Sequence, residues 1–259
     1  MDLTNQIIQG DCVEVMKSMP DNCVDLCFTS PPYFNARQQY ASYSTYQEYL
    51  DFLSQVTKQV FRVLKDNRIF VINLSCVIVP REKRSTESTR LAIPFDYLPI
   101  ATQTGFKFVD DIIWVKPDGA SNRAIKFAHH RRPVAYKPFQ VTEYLLVFKR
   151  GYGLLDLAIR DHSPEIIQAS LVADGYERTN VWQIRPENPC KVGHPAPFPL
   201  ELAQKVVEYY SYVGDLVLDP FLGAGTTALA ARQLGRNYLG IERCPDYCEI
   251  AQNRIKSTK

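Results

Sequence analysis

Apolar positions along this chain follow two alternating rhythms. Short apolar runs at 7–8, 24–28, 68–74, 111–115, 142–148, 216–219 and 238–242 predict seven buried strands. Between them lie helical spacings. Tyr46, Tyr49, Leu50, Leu53, Val56, Val60, Val63 and Leu64 recur every three to four residues behind a capping box, Thr45-x-x-Glu48. Leu202, Val206, Tyr209, Tyr210 and Val213 do the same after Pro199, a good first-turn residue. A third helix is expected from Thr226 to Leu234, stopped by Gly235, and the residues after Glu242 suffice for a last one. Strands alternating with helices imply an α/β fold with a doubly wound, mostly parallel sheet covered on both faces. Two stretches, 117–140 and 150–193, show neither rhythm.

Composition adds limits. At 259 residues and 46% hydrophobic, the chain has the means for one large domain with a sizeable core. The longest apolar stretch, 69–79, has eleven residues and is broken by Asn73 and Ser75, too short to cross a bilayer. Residues 1–4 show no apolar signal region, and seven cysteines without framework spacing suit reduced thiols. A cytoplasmic location is therefore expected, with no membrane partner.

The net charge of +2 hides an asymmetry. From Lys116 to Arg150, eight bases (Lys116, Arg123, Lys126, Arg131, Arg132, Lys137, Lys149, Arg150) face two acids, Asp118 and Glu143. The stretch 80–90 adds Arg81, Lys83, Arg84 and Arg90 against Glu82 and Glu87, so the rest of the chain is acidic. A basic segment on an acidic body is what a polyanion-binding face needs.

Two turns carry candidate chemistry. Leu216-Val217-Leu218-Asp219-Pro220-Phe221-Leu222-Gly223-Ala224-Gly225-Thr226-Thr227 reads as a strand, a glycine turn and a helix start. Glycines there permit tight backbone geometry and close approach to a ligand. Glu242 ends the next strand 17 residues after Gly225, about where a carboxylate accepts ribose hydroxyls. The pair predicts an adenosine-containing cofactor. Gly223-x-Gly225-x-x-Ala228 also fits a dinucleotide fingerprint, but too few residues follow to build a second half-site unless the chain order is rotated. The other turn is Thr29-Ser30-Pro31-Pro32-Tyr33-Phe34, where paired prolines force the chain out of the sheet. It offers a hydroxyl, a fixed carbonyl and an aromatic face, a set suited to a planar ring with an exocyclic amine.

In this order the two turns resemble the amino-group DNA methyltransferases of bacteria and archaea, in their permuted beta class. Further matches are Gly10-Asp11, Trp114-Val115-Lys116-Pro117, His194-Pro195-Ala196-Pro197-Phe198-Pro199 and Leu239-Gly240-Ile241-Glu242. The resemblance covers nearly the whole chain outside the two irregular stretches. It implies a seven-stranded, Rossmann-like methyltransferase sheet with circularly permuted motif order, forming one composite catalytic domain over 1–259. It also implies S-adenosyl-L-methionine as methyl donor. Asp11 would lie at the adenine and Glu242 at the ribose, with Cys12 also in the cofactor site. Thr29, His194, Pro195, Phe198, Asp219, Phe221, Gly223, Gly225, Thr226 and Thr227 would complete the cofactor site. Ser30, Pro31, Pro32 and Tyr33 would form the catalytic turn, holding the amine of a flipped base.

A serine in the first position of that turn leans toward N4 of cytosine within the family, with N6 of adenine as the alternative. A nicotinamide-dependent oxidoreductase is the competing reading from another class. Double-stranded DNA is the expected partner, gripped by the basic insertion 117–140 through Arg123, Lys126, Arg131, Arg132 and Lys137. Lys116, Arg81, Lys83 and Arg84 are expected to assist, and 150–193 is the expected target-recognition region. A restriction endonuclease is expected as a functional rather than physical partner, and the enzyme as a monomer or homodimer. No metal is expected, since Cys244-x-x-x-Cys248 has simple helical spacing and lacks a second ligand pair. Asp110-Asp111 is read as capping the strand to Trp114.

Overall fold

The computed structural model describes residues 3–34, 43–79, 83, 88–117, 138, 140–193 and 197–257, with 190 and 191 described as backbone alone. The strands are β1 (Gln6–Gln9), β2 (Val24–Thr29), β3 (Leu64–Leu74), β4 (Val77–Val79), β5 (Thr89–Leu91), β6 (Lys107–Val115), β7 (Thr142–Lys149), β8 (Val181–Gln183), β9 (Leu216–Asp219) and β10 (Asn237–Glu242). The α-helices are α1 (Cys12–Lys17), α2 (Tyr46–Val63), α3 (Ile93–Thr104), α4 (Pro164–Ala169), α5 (Pro189–Val192), α6 (Leu200–Tyr210), α7 (Thr226–Gln233) and α8 (Pro245–Ser257), and a 3-10 segment runs over Leu155–Asp161.

Eight strands form the main sheet in the order β1-β10-β9-β2-β3-β7-β6-β8. The seven expected strands are all present, and β8 is an eighth, added parallel to β6 from a stretch expected to be irregular. Pairing is parallel from β1 through to β3, and only β7 runs antiparallel, against β3 and β6. β4 and β5 form a separate antiparallel pair.

Alternation along the central strands divides the core in two. Phe70, Ile72, Leu74, Leu146, Phe148, Leu216 and Leu218 pack on the face covered by α1, α2 and α3. Their neighbours Val71, Leu145, Val147 and Val217, with Leu26 and Phe28, pack on the face covered by α6 and α7. β2 is buried at every position, as a strand with helices on both sides must be. The sequence patterns account for most of these elements. α2 begins behind Thr45, whose hydroxyl accepts from the Glu48 amide at 3.1 Å, and Glu48 reaches back to the Ser44 amide at 2.8 Å. α7 ends at the expected place, with Gly235 at φ 74°. Pro199 is the N-cap of α6 rather than a first-turn residue.

Two details differ. Asp110 and Asp111 lie inside β6, which begins four residues earlier than its apolar run, because Asp110 faces outward at a register shift against β7. Helix α3 carries Pro99 in its interior, and that proline masks its helical spacing. No helix among the described residues is long and apolar enough to cross a membrane.

Candidate active site

β2, β3, β9 and β10 all run the same way, so their C-terminal ends open at one edge of the sheet, where ligands of open α/β folds bind. β2 and β9 are hydrogen-bonded neighbours, with Leu26 opposite Val217 and Cys27 opposite Leu218. Two turns 190 residues apart in sequence thus leave the sheet side by side. Buried Asp219 joins them: one carboxylate oxygen accepts from Thr29 Oγ1 at 2.6 Å and from the Phe221 amide at 3.0 Å, and the other from Thr227 Oγ1 at 2.6 Å. Burial raises its pKa to about 6, against the opposing pull of those hydrogen bonds.

On the glycine-turn side, Glu242 closes β10. Its two oxygens accept from the Gly223 and Cys244 amides, each at 2.8 Å. A carboxylate has about four acceptor positions, so the group remains able to take hydroxyls. Asp11 caps α1 through one oxygen, to the Val13 amide at 2.9 Å and the Glu14 amide at 3.2 Å. The Gly10 amide meets the Glu242 carbonyl at 2.9 Å, bringing Asp11 beside Glu242. Cys12, which follows Asp11, is buried, and burial followed by the Asp11 charge raises its pKa to about 12.

Gly225 sits at φ 82° as the N-cap of α7, and a Cβ there would lie 2.8 Å from Ala251 Cβ. A side chain at this position would therefore collide with α8. Arg254 of α8 bonds the Ala224 carbonyl at 2.5 Å and Thr226 Oγ1 at 3.3 Å, securing the turn from behind. Phe221 packs edge-on against Phe52, which in turn meets Tyr43. Phe198 packs on Phe28, one residue before Thr29, with ring centroids 5.2 Å apart.

On the other side, Ser30 and Tyr33 enter a buried polar cluster. Register sets Thr29 opposite Ile72, which brings Ser30 level with Asn73. Asn73 Nδ2 donates to Glu143 Oε2 at 2.7 Å, to the Tyr33 hydroxyl at 3.2 Å and to Ser30 Oγ at 3.3 Å. The Tyr33 hydroxyl itself donates to Glu143 Oε2 at 2.8 Å. Burial, then the Glu143 charge, holds that phenol well above its usual pKa, so it stays a donor. Neither Asn73 nor Glu143 was expected here. Their signals were present: Asn73 interrupts the longest apolar run, and Glu143 is one of two acids in the basic stretch.

Lys116 was expected on DNA phosphate, but its ammonium pairs with Glu143 Oε1 and lies 4.8 Å from the Trp114 ring centre. A buried carboxylate holding three donors makes that the stronger demand on the lysine. Lys83 is described outside any strand or helix. His194, Pro195, Arg81, Arg84, Arg123, Lys126, Arg131, Arg132 and Lys137 lie outside the described residues, as does nearly all of 117–140.

The stretch 150–193 divides. Strand β7 ends at the sheet edge remote from Ser30, so the 3-10 segment and α4 lie there too. A cavity of about 380 Å³ at that remote edge is lined by Asp25, Lys65, Arg68, Asp161, His162 and Asp215. Arg68 bridges Asp25, Asp161 and Asp215 at 3.3 Å each, and His162 bonds Asp215 at 2.9 Å while stacking on Tyr212. This ion network ties the segment down and places 155–169 away from the Ser30 turn. Only the part after β8 returns to the site edge, because β8 runs parallel to β6 toward Lys116.

Known proteins resemble this chain in sequence and fold. The N6/N4 family model, described as DNA methylase, matches residues 24–253. The Type II beta methyltransferase M.BslI of Bacillus sp. (strain NEB-606) is 31% identical over 96% of this chain, which spans only 27% of that protein's length. The Type II methyltransferase M.ScaI of Streptomyces caespitosus is 28% identical over 97% of the chain and 81% of its own length. TTHA0409 of Thermus thermophilus, provisionally assigned as a DNA modification methylase and solved with S-adenosyl-L-methionine, superposes with a TM-score of 0.78 at 30% identity, covering 97% of this chain and 93% of its own. The cytosine-N4-specific PvuII DNA methyltransferase, 22% identical with a TM-score of 0.73 over 99% and 88% of the two chains, shares the fold. With its two motif turns bonded side by side and the family model running across most of its length, the chain belongs to the N6/N4 DNA methylases rather than to the nicotinamide oxidoreductases that its glycine turn alone would have allowed.

Proposed function

We propose that this chain is a site-specific DNA methyltransferase that moves a methyl group from S-adenosylmethionine to the exocyclic N4 of a flipped cytosine, as the modification activity of a restriction-modification system. The observation that carries the reading is the Thr29–Asp219 hydrogen bond, which holds the amine-binding turn against the donor-binding turn. The residues on the donor side fit that cofactor. Glu242 has acceptor capacity for ribose hydroxyls beside the Asp11 carboxylate, and the first turn of α7 has no side-chain cap, leaving its positive end for a carboxylate. When bound, S-adenosylmethionine supplies an electrophilic methyl on sulfur.

The chain's own residues do the rest. A base inside a duplex is out of reach, so it is extruded at a cost of about a few kcal/mol. Stacking on Tyr33 returns about 1–3 kcal/mol of this. Ser30 Oγ and the Pro31 carbonyl accept the two amino hydrogens, which turns the nitrogen lone pair toward the methyl and away from the ring. Rate then comes from positioning and fixed dipoles, since a serine is a weak base. DNA phosphates fall to Arg123, Lys126, Arg131, Arg132 and Lys137, with Arg81, Lys83 and Arg84, and target reading to the part of 150–193 that follows β8. A monomer or homodimer in the cytoplasm, with an endonuclease as functional counterpart, completes the reading.

N6 of adenine is the second reading, because the matched family spans both nitrogens. Mass spectrometry of nucleosides from DNA incubated with the enzyme and S-adenosylmethionine tests both. N4-methylcytosine is expected; N6-methyladenine instead would transfer the assignment to adenine, and no methylated nucleoside would overturn it.

A further inference from the structure

Glu143 is the carboxylate of the polar cluster beside the catalytic turn, and nothing in the amine-holding scheme uses it. Its two oxygens serve three donors: Oε2 takes the Tyr33 hydroxyl at 2.8 Å and Asn73 Nδ2 at 2.7 Å, while Oε1 takes Lys116. A carboxylate only accepts, so it dictates the direction of each bond. Asn73 must present its NH2 edge to Glu143, and that edge then also reaches Ser30 Oγ and the Tyr33 hydroxyl. Asn73 is 1% exposed and its Oδ1 has no partner among the described residues, an arrangement that no free choice of amide orientation would favour. Lys116, lying over Trp114, pairs with Glu143, which is 9% exposed.

We propose that Glu143 is a positioning residue for the target base, acting through the Tyr33 hydroxyl to hold the stacking ring in place and through Asn73 to hold Ser30. The inference rests on the DNA methyltransferase reading. A tethered ring has given up its motion before the base arrives, so the extruded base meets a platform already in its binding orientation. The carboxylate is suited to this because one amide oxygen cannot accept from Tyr33, Asn73 and Lys116 together.

The experiment is a double-mutant cycle on Glu143→Gln and Tyr33→Phe, with methyl transfer to target DNA and the fluorescence of 2-aminopurine at the target position as readouts. Glu143→Gln is expected to lower kcat/KM for DNA about ten- to a hundredfold, the loss typical of a hydrogen bond to a charged group. Affinity for S-adenosylmethionine should be unchanged, and the 2-aminopurine signal of the bound complex should change. Tyr33→Phe keeps the ring and loses the tether, so it should reproduce part of the defect, and the double variant should be less impaired than the product of the two.

A Glu143→Gln variant within twofold of the parent, or one whose effect multiplies independently with that of Tyr33→Phe, overturns the proposal. Should Glu143→Gln fail to fold, seen as lost cofactor binding, Tyr33→Phe with unchanged kcat/KM and fluorescence overturns it equally. A parent protein that moves no methyl to DNA overturns the underlying reading, and this one with it.

Discussion

Asp219 offers a quantitative test of how the two turns are joined. It is 1% exposed, and burial raises its pKa from the ordinary 3.8 to about 6, while Thr227, Thr29 and the Phe221 amide pull it down. Between these values the folded protein holds the proton more tightly than the unfolded chain does. The stabilisation from this group is therefore fully present below about pH 4 and is lost as pH rises through 6. A gap of about 2 pKa units corresponds to about 3 kcal/mol in all, with about 2 kcal/mol of it between pH 4.5 and 7.

Asp219→Asn keeps the shape and removes the titration. One amide oxygen still serves Thr29 and Phe221, and Thr227 Oγ1 accepts from the new NH2 in place of donating. Urea unfolding of parent and variant at pH 4.5, 5.5 and 7 measures the difference. The parent should lose about 2 kcal/mol relative to the variant on going from pH 4.5 to 7. A difference flat within about 0.5 kcal/mol, or one with the parent gaining as pH rises, would falsify the account of Asp219 as a desolvated acid.

Other outcomes follow from the same geometry. Ser30→Ala should abolish methyl transfer with cofactor affinity intact, whereas Glu242→Ala should raise the cofactor dissociation constant; calorimetry beside a methylation assay separates them, and swapped phenotypes would contradict the assigned roles. Gly225→Ala forces a side chain into a φ of 82° and to 2.8 Å from Ala251 Cβ. It should cost about 2–5 kcal/mol, visible as a clear fall in Tm, and an unchanged Tm would show that α8 yields at that point. Lys116→Met should slow turnover yet leave the salt dependence of DNA affinity unaltered, because the ammonium is engaged by Glu143. A salt slope reduced by about one would instead mark it as a phosphate contact.

Much of this protein was legible in its sequence because the relevant signals are local. Strand alternation, the Thr45–Glu48 capping box, the stop at Gly235 and the paired prolines after Ser30 each act within a few residues, so they read correctly without neighbours. The helix α3 was hidden by a local signal too, since Pro99 argues against the helix that its surroundings support. Tertiary structure alone decided which distant groups meet. Parallel pairing of β2 with β9 set Thr29 against Asp219, and antiparallel β7 carried Glu143 to Tyr33 and Asn73. The same pairings claimed Lys116 from the expected DNA face and sent the segment after β7 to the far edge of the sheet. A polar residue in an apolar run carries no partner in its own sequence window; its meaning is fixed by strand order and register, which depend on contacts across the whole chain.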